Sequence, residues 1–402
     1  MKKIIIYSIF CSFALANPNN LDILQKDKKE YRDLDKKSIE TKYESLRNDW
    51  IGTLDFSSGL TTTHSFDNNK NGNFGKNAKI GFTQSIFESG GIEFKIDYAK
   101  DKLKYDLLSW ENQNYQILYS IYNTLLEIKK LKLEMTQNDI RVVNKDIEQI
   151  IKKIQYDAGK VDIIELNNAI MSKNLILKEK ISLENSLKEK EQELAKYTDL
   201  KYDEIEIMDF KEISKEDFLN KNLALMQEDA KIDMLNTDYK KKKTEYLPKV
   251  ALSTNASYSN SDESFNRTIK DTNKDDASAN VGLTLSMPLF DYNKTSKLEE
   301  SKLEVLKQRA YLNDLKNETA YDYEQTLTKL DTYFKQNETI RKNIELYEEL
   351  ISANKISNES GMTSTYDLEI LENTKLINDF DILLNDISIV QQYAKLYFKI
   401  KG

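Results

Sequence analysis

Residues Asn280 to Lys297 read N-V-G-L-T-L-S-M-P-L-F-D-Y-N-K-T-S-K. The stretch opens in strict alternation. Val281, Leu283, Leu285 and Met287 fall on one side, and Asn280, Gly282, Thr284 and Ser286 on the other, which is the period of a β-strand. Pro288 then stops the ladder, Phe290 and Asp291 follow, and the pattern turns helical for about sixty residues. A strand with one apolar and one small-polar face, feeding straight into a very long helix, suits a chain whose apolar face meets lipid. Its polar face then lines a water-filled lumen and its helix leaves the membrane. A weaker copy lies upstream at Ala78 to Gly91, A-K-I-G-F-T-Q-S-I-F-E-S-G-G.

Working outward, residues 1–16 read as a signal peptide, with Lys2 and Lys3, an apolar Ile4–Phe13 core and an Ala14-Leu15-Ala16 cleavage site. The single cysteine, Cys11, lies inside it, so no disulfide or cysteine-ligated metal is expected beyond it. After the leader no apolar run is long enough for a spanning helix. Three prolines and eleven glycines in 402 residues favour long helices over a many-turned fold. A net charge of -8 and the lack of a basic stripe argue against a nucleic-acid partner.

The chain divides into two similar parts. In the first, 17–200, the pattern predicts a helix or two over 20–49 and a β-hairpin over about 50–88, with Leu54, Phe56 and Leu60 on its apolar side. A breaker-free helix follows over 93–157, about 100 Å at 1.5 Å per residue. It carries 3-4 spaced runs at Leu118, Ile121, Leu125, Ile128 and at Ile140, Val143, Ile147, Ile150, Ile154, the seam of a helix packed in coiled-coil fashion. A tip turn near Gly159 and a return helix capped by Asp162 complete the part. Residues 201–214 read as a connector. The second part, 215–402, repeats the order: one helix over 216–246, a hairpin over about 249–289, a long helix over 295–357, a tip turn near Gly361 and a return helix over 365–401. Phe290 follows Phe87 by 203 residues and Gly361 follows Gly159 by 202. That constant offset is the mark of an internal duplication.

Two hairpins supply four spanning strands, and a membrane barrel needs at least eight. An open sheet in lipid leaves unpaired edges, so the barrel must close with copies of the chain. Two copies give a ring filled by its own side chains and three give a wider one. The small polar inward residues favour three.

The S-M-P-L-F-D motif at Ser286–Asp291, the Y-L-P-K-V entry at Tyr246–Val250 and the two glycine-marked helix turns resemble the TolC family of outer-membrane efflux proteins. The resemblance extends over the chain after the leader. It implies a mainly α protein with a membrane β-barrel portion, in which long antiparallel helical hairpins form an α-barrel and each chain gives four β-strands to a 12-stranded trimeric barrel. It further implies a passive exit duct of an efflux or type I secretion system in the outer membrane of a Gram-negative bacterium. The expected partners are its own copies in a homotrimer, a periplasmic adaptor, an inner-membrane pump and outer-membrane lipid, with no cofactor.

By the same resemblance Asp367, six residues after Gly361, and its counterpart Glu165 form an acidic tip gate, with Asp162, Glu369 and Glu372 adding charge. The alternative is that these acids complement the positive N-terminal ends of the return helices. The family's closing arginine and tyrosine are replaced by Thr363 and Asn358. Phe87, Gly90, Gly91, Pro288, Phe290 and Asp291 mark the strand-to-helix joints, and Phe87, Tyr258, Phe290 and Tyr292 are placed at strand ends as an aromatic belt. His64 reads as a solvated loop residue. No catalytic constellation or metal-ligand spacing stands out. The rival reading is a secreted or surface-displayed coiled-coil structural protein, such as an adhesin, which leaves the alternating strands unexplained. A soluble periplasmic enzyme is a third.

Overall fold

The computed structural model describes residues 21–64, 73–270 and 275–401; the expected leader lies outside them. The described elements are α1 (Lys26–Arg47), β1 (Leu54–Thr63), β2 (Asn73–Phe87), α2 (Gly91–Asp157), α3 (Ile163–Leu194), α4 (Lys215–Asn220), α5 (Leu223–Thr244), β3 (Lys249–Asp262), α6 (Phe265–Lys270), β4 (Asp276–Ser286), α7 (Lys294–Glu359) and α8 (Thr365–Tyr397). A 3-10 turn at Leu21–Ile23 precedes α1. None of the described helices is long and apolar enough to cross a membrane.

The chain divides into two compact units. One contains Leu34–Ser109 and Met226–Asp314; the other contains Met1–Asp33, Trp110–Leu225 and Leu315–Gly402. Helices α2 and α7 contribute to both.

The first unit holds an antiparallel sheet in the order β1-β2-β3-β4, so β1 and β4 are its open edges. The register sorts the side chains. One face carries Leu54, Phe82, Thr254 and Val281 in one cross-strand row and Phe56, Ile80, Ala256 and Ala279 in the next. The other face carries Asp55, Gly81, Asn255 and Asn280, then Ser57, Lys79, Ser257 and Ser278. Alternation along the strands sorts these rows, because the side-chain period is two, with Thr254 the polar member of the first. A register shift between Ser85 and Phe87 leaves Ile86 as an extra residue, a bulge that re-aims the end of β2. The strands are longer than the sequence reading gave them: β2 begins at Asn73, β3 runs to Asp262 and β4 begins at Asp276. Tyr258 therefore sits inside β3, opposite Ala78 and Ala277, and not at a strand end. Below the sheet, Thr237 Oγ1 donates to Asp101, Lys104 pairs with Asp233 and Gln308 donates to Glu228, which ties α2, α5 and α7 together.

The second unit is helical. Tyr115, Leu118, Ile121, Leu125 and Ile128 of α2 are nearly fully buried, so the first 3-4 run is core. Val143, Ile150 and Ile154 of the second run remain 41–57% exposed; within one chain only part of that seam is covered. Phe398 packs against Tyr115, Tyr119, Tyr122, Phe210 and Tyr397, and burial of such a ring contributes about 2–3 kcal/mol. Arg32 is buried and donates to Asn114, Gln113 and the Trp110 carbonyl, which seats the start of α1 on α2.

The single helix expected over 216–246 is two helices. Asn222 interrupts it: its side chain accepts from the amides of Ala224 and Leu225 and so caps α5. The chain end supplies the remaining partners. Leu223 N–H donates to Lys399 and Lys401 N–H to Lys221, around an isolated Asn222–Ile400 bridge. The last helix accordingly stops at Tyr397, leaving Phe398–Lys401 free to make these bonds.

Candidate functional site

The two tip turns share one backbone design. Gly159 has φ 69° and Gly361 φ 72°, the left-handed conformation in which a Cβ is disfavoured. Lys160 N–H reaches back to Gln155 and Met362 N–H to Ser357, while the glycine amides donate to Tyr156 and Asn358. This is the Schellman pattern that closes a helix C-terminus. A Cβ at either glycine would meet nothing within 4 Å, so backbone conformation alone selects the residue.

The expected gate carboxylates sit just after these turns, and Asp162, Glu165 and Asp367 are each engaged on their own hairpin. Asp162 is the N-cap of α3 and accepts from Ile164 N–H at 3.0 Å and Glu165 N–H at 2.9 Å. Glu165 pairs with Lys152 of α2 at 2.5 Å. Asp367 forms a capping box with Ser364: its amide donates to the Ser364 hydroxyl and its carboxylate accepts from the Ser364 amide and hydroxyl. Glu369 is exposed, and Glu372 pairs with Lys355 at 3.1 Å. The capping alternative is thus realised for Asp162 and Asp367. Both carboxylates remain exposed.

Thr363 and Asn358, which stand where the family's lock residues would be, are tied to their own turn. Asn358 Nδ2 donates to the Thr363 carbonyl at 3.0 Å, and Thr363 Oγ1 donates to Asn354 Oδ1 at 3.2 Å. The sequence reading missed this use of the pair, because a polar bond across a five-residue turn has no signature in periodicity.

A seam of hydrogen-bonded polar groups joins the two hairpins. Gln137 of α2 donates to the Ile377 carbonyl and to Asp381 of α8, Asn373 donates to Asn144 at 2.8 Å, and Gln391 to Asn123 at 3.2 Å.

At the strand-to-helix joints, Ser89 (φ 52°) and Gly90 (φ 87°) turn the chain into α2, and Ser89 Oγ donates to the Pro248 carbonyl. A Cβ on Gly91 would press on Thr244 Oγ1 and Glu88 at 2.9–3.0 Å. At the second joint Asp291 accepts from Asn293 N–H, Tyr246 Oη and Lys297 Nζ. The Asn293 amide, followed by Lys297, holds its carboxyl below the usual range. Phe87 is 52% and Phe290 85% exposed. Pro288 lies two residues beyond the last paired residue of β4, Ser286.

Among the described residues no group of three or more His, Cys, Asp or Glu is placed to hold a metal ion. Residues 216–397 match the family model described as outer membrane efflux protein. No curated protein matches the sequence significantly. Among solved structures, the chain is similar to the outer membrane protein VceC of Vibrio cholerae: 13% identity, TM-score 0.73, covering 93% of this chain and 92% of that one. It is also similar to the CmeC outer membrane channel of Campylobacter jejuni, at 12% identity, TM-score 0.71, with 93% and 84% covered. The open state of the MtrE outer membrane channel of Neisseria gonorrhoeae matches at 12% identity and TM-score 0.68, with 94% and 86% covered. These likenesses lie in the fold.

Proposed function

We propose that the chain belongs to the TolC-type outer membrane efflux proteins, a reading supported by the match of residues 216–397 to the outer membrane efflux protein family model, and that it is the outer-membrane exit duct of a tripartite efflux system. It works as a homotrimer, with a periplasmic adaptor and an inner-membrane pump. The observation that carries this reading is the sorting of the sheet. Leu54, Phe56, Val281, Leu283 and Leu285 are 68–76% exposed in the single chain, and all fall on the apolar face. Such a surface is stable in lipid and aggregates in water. The opposite face of Ser, Thr, Asn and Gly suits a wet lumen. The open edges β1 and β4 demand neighbours in a membrane, and three copies close twelve strands. Passage is passive, and the two parts, 17–200 and 215–402 joined at 201–214, are copies of one repeat.

The lumen-facing charges of the described strands are Asp55, Lys79, Lys249 and Asp276, two of each sign. The barrel wall is thus near neutral, and ion preference falls to the tips. There Asp162, Glu165, Asp367 and Glu369 ring the opening around Gly159 and Gly361.

Planar-bilayer recording tests both parts. The detergent-extracted oligomer is expected to give stable channels; a water-soluble monomer without conductance sinks the duct. Asp367→Ala is expected to reduce cation preference, whereas Ser364→Ala, which also breaks the capping box, leaves it unchanged. Equal effects from the two variants would assign Asp367 to helix capping alone.

A further inference from the structure

We propose that α6, the short helix between β3 and β4, is a lipid anchor that seats Phe265 and Ile269 in the headgroup layer of the outer leaflet, with Arg267 and Lys270 facing lipid phosphates. The inference rests on the outer-membrane reading above.

The helix packs on the apolar face of the sheet. Thr268, its buried residue, donates to the Phe74 carbonyl, and the Phe265 ring meets the Phe74 ring edge-on at 5.8 Å. Phe74 lies on the same face as Ile80 and Ala78, because two-residue steps separate them along β2. The lipid-facing rows end at Tyr258. Beyond it the face turns largely polar: Lys76, opposite Leu60, pairs with Asp275 and lies over the Tyr258 ring. Phe74 and α6 come after that polar row, about 10 Å above Tyr258 for strands tilted as in membrane barrels.

An apolar pair beyond a polar row has no place in open water, yet Phe265 and Ile269 are 48% and 45% exposed. They are one turn apart and so share a side of the helix. Their surface continues the apolar face. The depth matches where amphipathic helices and aromatic rings settle, at the boundary of headgroups and acyl chains. Of the nearby carboxylates, Asp262 is engaged by Arg267 and by the Ser264 amide and Asp275 by Lys76, while Glu263 is exposed. The Arg267 side chain is still 65% exposed, and Lys270 is exposed beside it. Two cations over two apolar side chains fit a phosphate-bearing lipid rather than a second protein.

The experiment uses three tryptophan probes in the full-length oligomer, reconstituted in vesicles of anionic phospholipid with brominated acyl chains: Phe265→Trp, Phe56→Trp on the mid-barrel apolar face, and Ser257→Trp on the lumen face. Phe265→Trp and Phe56→Trp emission is expected to shift to the blue and lose intensity, and Ser257→Trp emission is not. If Phe56→Trp is quenched and Phe265→Trp is not, α6 stands clear of the lipid and the inference is wrong. If neither is quenched, the membrane barrel itself fails. A paired Arg267→Gln, Lys270→Gln variant is expected to retain anionic lipid more weakly, by about fivefold per cation, with folding checked by unchanged oligomer mobility. Unchanged retention would remove the phosphate contact.

Discussion

The two tip-bearing hairpins, α2/α3 and α7/α8, have the same turn but are stitched differently. Across the outer part of α2/α3 run four ion pairs: Asp139–Lys180, Arg141–Glu179, Asp146–Lys173 and Lys152–Glu165. In the outer part of α7/α8 there are two, Glu348–Lys375 and Lys355–Glu372, and an Asn337 pairing with Asn385 and Asp386. The bases are mirror images in charge. In the first hairpin one cation, Lys190, lies between Glu127 and Glu193. In the second one anion, Asp322, lies between Lys395 and Lys399. The two hairpins thus share their turn glycines and differ in their cross-links, and the second hairpin is the more loosely held toward its tip.

The largest effect should show the sameness. Gly159→Val and Gly361→Val each force a β-branched residue into positive φ, at about 2 kcal/mol, and thermal denaturation of the two variants should agree. A large inequality would break the equivalence of the turns. Next come the caps. Asp162→Ala strands two amides and should cost about 1 kcal/mol. Ser364→Ala should cost less, because Asp367 still accepts from the Ser364 amide. Hydrogen exchange in the first turns of α3 and α8 reads the difference.

The bases should fail at opposite ends of the pH scale. Burial raises the Asp322 carboxyl, but the hydrogen bonds from Lys395 and Lys399 outweigh it and leave the pKa lowered. A lowered pKa stabilises the fold above the unfolded value and is lost as pH falls through the folded one. Lys190 is raised, first by its bond to Glu127 and then by Glu193, so its contribution holds below the unfolded value and is lost as pH rises past it. Acid should therefore loosen the α7/α8 base first and alkali the α2/α3 base, as read by site-resolved hydrogen exchange. Asp322→Asn should remove the acid-side difference. The smallest effect is that of salt. Exposed pairs contribute about 0.2–1 kcal/mol each, so high ionic strength should slacken α2/α3 more than α7/α8. It should spare the seam of Gln137, Asn144 and Asn373, two of whose bonds are between neutral groups.

Much of this was readable from sequence because it rests on period. Val281, Leu283 and Leu285 declare their face by alternation, and Gly159 and Gly361 declare positive φ in chains otherwise free of breakers. What stayed hidden rests on partners distant in sequence. Asn222 breaks a helix without glycine or proline, because Lys399 and Lys401 supply its neighbours with bonds. The 3-4 run from Ile140 to Ile154 reads like the run from Leu118 to Ile128, yet only the run from Leu118 to Ile128 is wholly core, since period reports a face and not what covers it. Asp367 was legible as an acid near a turn, while its capping role depended on Ser364 three residues before. The α6 helix is too short for periodicity to register.

The central claim is that one face of the four-stranded sheet meets lipid and the other water in a barrel closed by copies of this chain. Beyond Cys11 the sequence has no cysteine, so single cysteines at Ser257 and Val281 can be read cleanly in the reconstituted oligomer with a water-soluble maleimide. Ser257→Cys should be labelled and Val281→Cys protected until detergent is added. Equal labelling of both in intact vesicles would contradict the barrel.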